Sequence, residues 1–149
     1  MDEPLLTEDF KEFLRLLNAN RVDYMVVGGF AVGFHGYPRA TIDLDVWVRM
    51  TPENADRIVA TLVAFGFGSA SFESSLFINP RSLVRFGVPP FRIEIMTSID
   101  GVEYDACRRR LVTTDVGGVA MPMISLEDLK ANKRAAGRHK DLNDLENLP

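Results

Sequence analysis

Asp43 and Asp45, separated by one leucine, are the first residues in this chain whose types and spacing suggest chemistry. They sit in the run Ile42 to Val48, IDLDVWV, which reads as a strand. Side chains on a strand alternate between its two faces, so the two carboxylates share one face while Leu44 and Val46 point the other way, into a core. Two carboxylates on one pleat repel each other unless a cation lies between them, and oxygen ligands suit a hard divalent ion such as magnesium. Upstream, the apolar run Tyr24 to Val27 ends in Gly28-Gly29 and leads into a short helical stretch. Amides without side-chain cover can approach a phosphate there, and a helix N-terminus adds partial positive charge. Downstream, the strand Phe91 to Met96 places Ile93 and Ile95 on one side and Arg92, Glu94 and Met96 on the other, making Glu94 the best candidate for a third carboxylate. A triphosphate held by glycines and bridged by magnesium to three acids is a layout for in-line attack at phosphorus, with charge neutralised on the attacking and leaving oxygens.

Each of these residues also has a plainer reading. Gly-Gly is an ordinary tight turn. Asp43 and Asp45 could be a solvated strand face, although aspartate is disfavoured within strands. Glu94 could pair with Arg92 or with another arginine. Asp141 and Asp144 read as helix-capping or ion-pairing groups for Arg138 and Lys140, His35 as a packed or turn histidine, Arg108 to Arg110 as a surface run, and Trp47 and the phenylalanines as core.

The remaining segments supply the frame. Thr7 to Asn20 is an amphipathic helix with Thr7 as cap and Phe10, Phe13, Leu14 and Leu17 on one face. Phe30 to Phe34 gives one or two helical turns, stopped by Gly36 and Pro38. Thr51 caps a helix from Pro52 to about Phe65, with Gly66 as its stop. Leu76 to Ile78 and Leu83 to Phe86 read as short strands around an Asn79-Pro80 turn, and Ile99 to Tyr104 as a loop with room for a short strand. Leu111 to Val116 and Val119 to Met123 flank Gly117-Gly118 as a hairpin. Ser125 opens a helix to about Ala136, with Asp128 completing a capping box, and Lys140 to Leu148 forms a last helix with Leu142, Leu145 and Leu148 inward. The order predicts an α/β (α+β) fold: a small mixed sheet flanked by helices, in one domain over 1–149 with a helical tail from about 125.

Composition narrows the class. The chain of 149 residues is long enough for one core, and its 46% hydrophobic and 26% charged residues are those of a globular protein. A net charge of −4 does not indicate wholesale binding to nucleic acid, yet Lys130, Lys133, Arg134, Arg138 and Lys140 make a local basic run. Cys107 is the single cysteine, which excludes an internal disulfide and fits a reducing cytoplasm. One cysteine and two histidines make a zinc site a poor fit. No basic leader precedes an apolar run, and no apolar run approaches the roughly 20 residues that span a bilayer, so no membrane partner is expected.

Together, Gly28-Gly29, Asp43-Leu44-Asp45 and Glu94 resemble the ordered signature of the nucleotidyltransferase superfamily that includes DNA polymerase beta. Arg39-Ala40-Thr41 and the tail LKANKRAAGRHKDLNDLENL, with Lys133, Arg138, Lys140, Asp141 and Asp144, are similar to small bacterial stand-alone members akin to AbiEii-type toxin–antitoxin proteins. The resemblance runs from Tyr24 to Leu148. It implies the nucleotidyltransferase fold and transfer of a nucleoside monophosphate from an NTP to an acceptor hydroxyl or phosphate, with Mg2+ or Mn2+ as cofactor. It further implies that Asp43, Asp45 and Glu94 are catalytic metal ligands, with Glu94 also accepting a proton. Gly28, Gly29, Arg39, Thr41, Lys133 and Lys140 would contact the nucleotide or acceptor. The second small residue is Gly in place of Ser, and the third acid is Glu in place of the more usual Asp. A chain this short implies a macromolecular acceptor (RNA such as tRNA, or a protein) or help from a second subunit in a homodimer. The alternative is a non-catalytic, antitoxin-like module that keeps the fold and binds a nucleotide or a partner.

Overall fold

The computed structural model describes residues 7–38, 43–68, 71–88 and 92–149. Arg39 and Thr41 lie outside the described residues. The elements run α1 (Glu8–Ala19), β1 (Tyr24–Val27), α2 (Gly28–Phe34), β2 (Asp43–Val48), α3 (Pro52–Phe65), a 3-10 turn (Ser74–Phe77), β3 (Leu83–Phe86), β4 (Arg92–Met96), α4 (Tyr104–Arg108), β5 (Val112–Val116), β6 (Val119–Met123), α5 (Leu126–Ala136) and α6 (His139–Asn147). Six strands form one mixed sheet in the order β3-β4-β2-β1-β6-β5. β2 runs parallel to β4 and antiparallel to β1, while β1 runs parallel to β6.

Capping starts the two helices that cover one sheet face. Thr7 accepts from Phe10 N at 3.2 Å at the head of α1, and Thr51 accepts from Asn54 N at 3.2 Å at the head of α3. α1 buries Phe10, Phe13, Leu14 and Leu17. Phe13 makes edge contacts with Phe65 at 5.2 Å and with Phe86 at 5.6 Å between ring centroids, so α1, α3 and the inner side of β3 share one aromatic cluster. Leu44, Val46, Ile93 and Ile95 are buried in the same core. Asn54 ties this layer to the strand ends: it donates to Asp23 O and Arg49 O at 2.9 Å each and accepts from Asp23 N at 2.7 Å.

The alternation that buries Leu44 and Val46 leaves Asp43, Asp45 and Trp47 on the opposite face. Trp47 is itself buried there, edge-on to Tyr104 at 5.2 Å. Among the described residues, no helix is long and apolar enough to cross a membrane.

Four expectations need correction. Leu76 to Ile78 is not a strand: Phe77 alone is buried, while Leu76 and Ile78 are exposed, so the segment forms a single 3-10 turn that plugs one aromatic ring into the core. The stretch from Ile99 contains no strand, and Tyr104–Arg108 is instead a short helix that buries Cys107. Phe34 is 38% exposed and is not core. On α6, Leu142 faces outward at 47% exposure, and Asp141 and Asp144 occupy the buried stripe with Leu148. The ionic contact of Asp141 and Asp144 with Lys133 on α5, rather than a leucine seam, sets the rotation of that helix.

Candidate functional site

The register brings the acids together. Parallel pairing sets Asp45 opposite Glu94, and antiparallel pairing sets Val27 opposite Asp45. Asp45 and Glu94 therefore lie at one level on neighbouring strands, and Gly28 follows directly on the β1 residue paired with Asp45. One carboxylate oxygen from each of Asp43, Asp45 and Glu94 lies within 4.8 Å of the others.

The three acids are not equally satisfied. Arg92 grips Asp43 with both arms, Nε to Oδ1 at 3.1 Å and Nη2 to Oδ2 at 3.0 Å. Arg85 Nε donates to Glu94 Oε1 at 2.8 Å, and Arg92 Nε stands 3.9 Å from the same oxygen. Asp45 Oδ1 is buried with no hydrogen-bond partner among the described residues. Burial first, then the charges of Glu94 and Asp43, push its carboxyl up to about 7, against the opposing pull of Lys140. An unpaired buried carboxylate oxygen between two other acids fits a hard cation with oxygen ligands.

Gly28 is required by two separate constraints. Its φ of +67° lies in the left-handed region, and a Cβ there would fall 2.1 Å from Asp45 Oδ2. Any side chain would displace the carboxylate. Gly28 and Gly29 begin α2 and border a cleft of about 790 Å³ whose floor includes Asp45 and Glu94.

The far wall of that cleft is the α5–α6 tail. Asn132 donates to Asp100 O at 2.9 Å, and Gly101 (φ +80°) leaves room for Ala135, whose Cβ would lie 2.4 Å from a Cβ at that position. Lys133 lines the cleft, but its buried ammonium is held by Asp141 Oδ1 at 3.2 Å and Asp144 Oδ2 at 3.1 Å. Asp141 also accepts from Arg138 Nε at 2.7 Å and from Arg138 N at 3.2 Å. Burial pushes the Asp141 carboxyl up, but Arg138 and Lys133 outweigh it and hold it below the usual range. The ion-pairing role expected of Asp141 and Asp144 is thus present, with Arg138 on Asp141 as expected and Lys133 joining both acids. Lys140 is exposed at the cleft wall, close enough for its charge to act on Asp45.

Among the other residues singled out, His35 Nε2 sits 2.7 Å from Ile124 O as a packed histidine. Arg110 pairs with Asp128 through both arms at 3.0 and 2.8 Å. Burial pushes the Cys107 thiol up to about 12, so it stays protonated. Sequence reasoning missed Arg85 and Arg81. The alternation along β3 that puts Leu83 and Arg85 on one face is legible in the sequence, but the antiparallel pairing that sets Arg85 opposite Glu94 is not.

A profile of the family described as nucleotidyl transferase of unknown function (DUF2204) matches residues 6–149. Among solved structures, the fold is similar to a provisionally assigned nucleotidyltransferase from Thermotoga maritima, with a TM-score of 0.62 at 19% identity, covering 91% of this chain and 87% of that one. It is also similar to an antigenic nucleotidyltransferase-like protein from Paracoccidioides brasiliensis, with a TM-score of 0.54 at 18% identity, covering 95% of this chain and 76% of that one. At these identities the likeness is one of fold. No curated protein matches the chain. The glycine-bordered acidic site thus stands in a mixed-sheet fold shared with nucleotidyltransferase-like structures, and the chain belongs to the nucleotidyl transferase family DUF2204.

Proposed function

We propose that this protein transfers a nucleoside monophosphate from an NTP to a hydroxyl of a macromolecular acceptor and releases pyrophosphate. One observation carries the reading: Asp45 Oδ1 is buried and unpartnered beside Glu94 and Asp43, on the floor of a cleft edged by Gly28 and Gly29. Asp43, Asp45 and Glu94 would hold magnesium or manganese, which when bound neutralises charge on the attacking and leaving oxygens. The amides of Gly28 and Gly29 hold phosphate oxygens, and Lys140 supplies a cation from the far wall. Arg39 and Thr41, adjoining the start of β2 in sequence, are assigned to the same ligand. Glu94 takes the proton of the acceptor hydroxyl as its oxygen bonds to the α-phosphorus. The bond from that phosphorus to the bridging oxygen breaks, and pyrophosphate leaves with its electron pair. Lys133, ion-paired away from the cleft floor, is assigned to fixing the wall rather than to the ligand. A place in a toxin–antitoxin pair rests on the resemblance carried by Arg39-Ala40-Thr41 and the tail motif.

A second reading has its own support. Arg92 and Arg85 already neutralise Asp43 and Glu94, as the counterions of a non-catalytic nucleotide-binding module would. Incubation with labelled NTPs and magnesium, with and without total tRNA, separates the two. Label transferred by the wild type and lost in Asp45→Ala supports the enzyme. Tight NTP binding with no transfer to any acceptor supports the module and refutes the enzyme.

A further inference from the structure

In-line displacement puts the attacking and departing oxygens on opposite sides of phosphorus. With the triphosphate at Gly28 and Gly29, the acceptor approaches from the other flank, over Glu94. That flank ends at β3, the last strand on its edge of the sheet. Arg85, opposite Glu94, has a side chain 51% exposed, and Leu83, opposite Met96, is also 51% exposed. Arg81 lines the cleft just before the strand, is exposed, and has no ion-pair partner among the described residues. Its φ is +62°, a left-handed conformation that glycine adopts without the penalty an L side chain carries. Backbone strain of this kind collects at functional sites.

The arrangement selects the ligand. Leu83 and Arg85 lie on the same side of β3, and Arg81 stands in the turn just before it, so the three side chains follow one another along this edge. Two exposed guanidiniums with an apolar side chain between them suit a strand of several phosphates whose bases lie against the leucine. We propose that Arg81, Leu83 and Arg85 form the acceptor track, and that the acceptor is the end of a single-stranded polynucleotide. This rests on the transferase reading above, with the terminal hydroxyl of the strand as the nucleophile.

The test is binding of a short labelled single-stranded RNA, followed by anisotropy with magnesium and a non-hydrolysable NTP analogue across a salt series. Arg81→Gly and Arg85→Gln each weaken RNA binding about fivefold or more and lower the salt slope by about one. Arg81→Gly melts no lower than the wild type and keeps its affinity for the magnesium–NTP analogue, so its RNA defect cannot come from misfolding. RNA binding indifferent to both substitutions overturns the track. So does transfer only to a protein, or to a free mononucleotide as readily as to RNA. A wild type that binds no magnesium–NTP overturns the transferase reading along with the track, whereas one that binds NTP and ignores RNA overturns the track alone.

Discussion

Asp45→Asn should make the metal-free protein more stable while abolishing its response to magnesium. The Asp45 carboxyl is raised from 3.8 to about 7, mainly by burial and then by the neighbouring acids. In the unfolded chain this group ionises near its ordinary value, so between about pH 4 and pH 7 the native state holds a proton that the unfolded state has lost. Native stability therefore falls as the pH rises through that window and levels off above it. A shift of about three units, at roughly 1.4 kcal/mol each, sets a ceiling of about 4 kcal/mol at pH 8. At pH 5 native Asp45 is protonated, and less than half of that penalty remains. The neutral, nearly isosteric amide removes the charge. For a chain of this size each kcal/mol moves the melting temperature by about 2–4 °C, so the variant should melt several degrees higher than the wild type at pH 8 in chelator, and by a smaller margin at pH 5. Magnesium should raise the melting temperature of the wild type at pH 8 and leave the variant unmoved. Thermal melts at the two pH values, with chelator and with magnesium, make the measurement. A variant that melts lower than the wild type at pH 8 without metal, or whose gain is the same at both pH values, would refute the electrostatic account of the site.

Other outcomes follow from the same geometry. Magnesium affinity, measured by calorimetry in buffers of different ionisation heat, should strengthen as the pH rises toward 7 and be accompanied by proton release below it, because the cation displaces the proton held at Asp45. Gly28→Ala places a Cβ within 2.1 Å of Asp45 Oδ2 at a positive φ, so it should cost at least about 1 kcal/mol in denaturant melts and abolish magnesium binding. Lys133→Met removes the buried ammonium shared by Asp141 and Asp144 and should destabilise by about 3 kcal/mol, Asp141 keeping its bonds from Arg138, whereas Lys140→Ala should leave the denaturation midpoint unchanged and weaken NTP binding.

The parts of the fold legible in sequence are those governed by local rules. Caps at Thr7, Thr51 and Ser125, stops at Gly66 and Gly137, and the alternation in β2 and β4 gave element boundaries within a residue or two. The acid cluster was legible because parity alone fixes which way Asp43, Asp45 and Glu94 point, leaving only the adjacency of β2 and β4 to be found. What stayed hidden depends on contacts distant in sequence. Leucines at 142, 145 and 148 suggest an apolar face only if the helix has no stronger reason to turn, and Lys133 supplies that reason from another helix. The pairing of Arg85 with Glu94 needs the β3–β4 register. Leu76 to Ile78 has strand-like composition, yet a single buried ring decides its shape.

The ionic contact between α5 and α6 has a consequence for where Lys140 ends up. Apolar seams tolerate sliding, since one methyl group substitutes for another at little cost. A lysine that must meet carboxylates from two successive turns allows no such latitude: moving α6 by one residue, or rolling it to bury Leu142, would leave a charge stranded in the interior. The first turn of that helix is therefore indexed against α5, which sets the point on the cleft wall from which the Lys140 side chain reaches out.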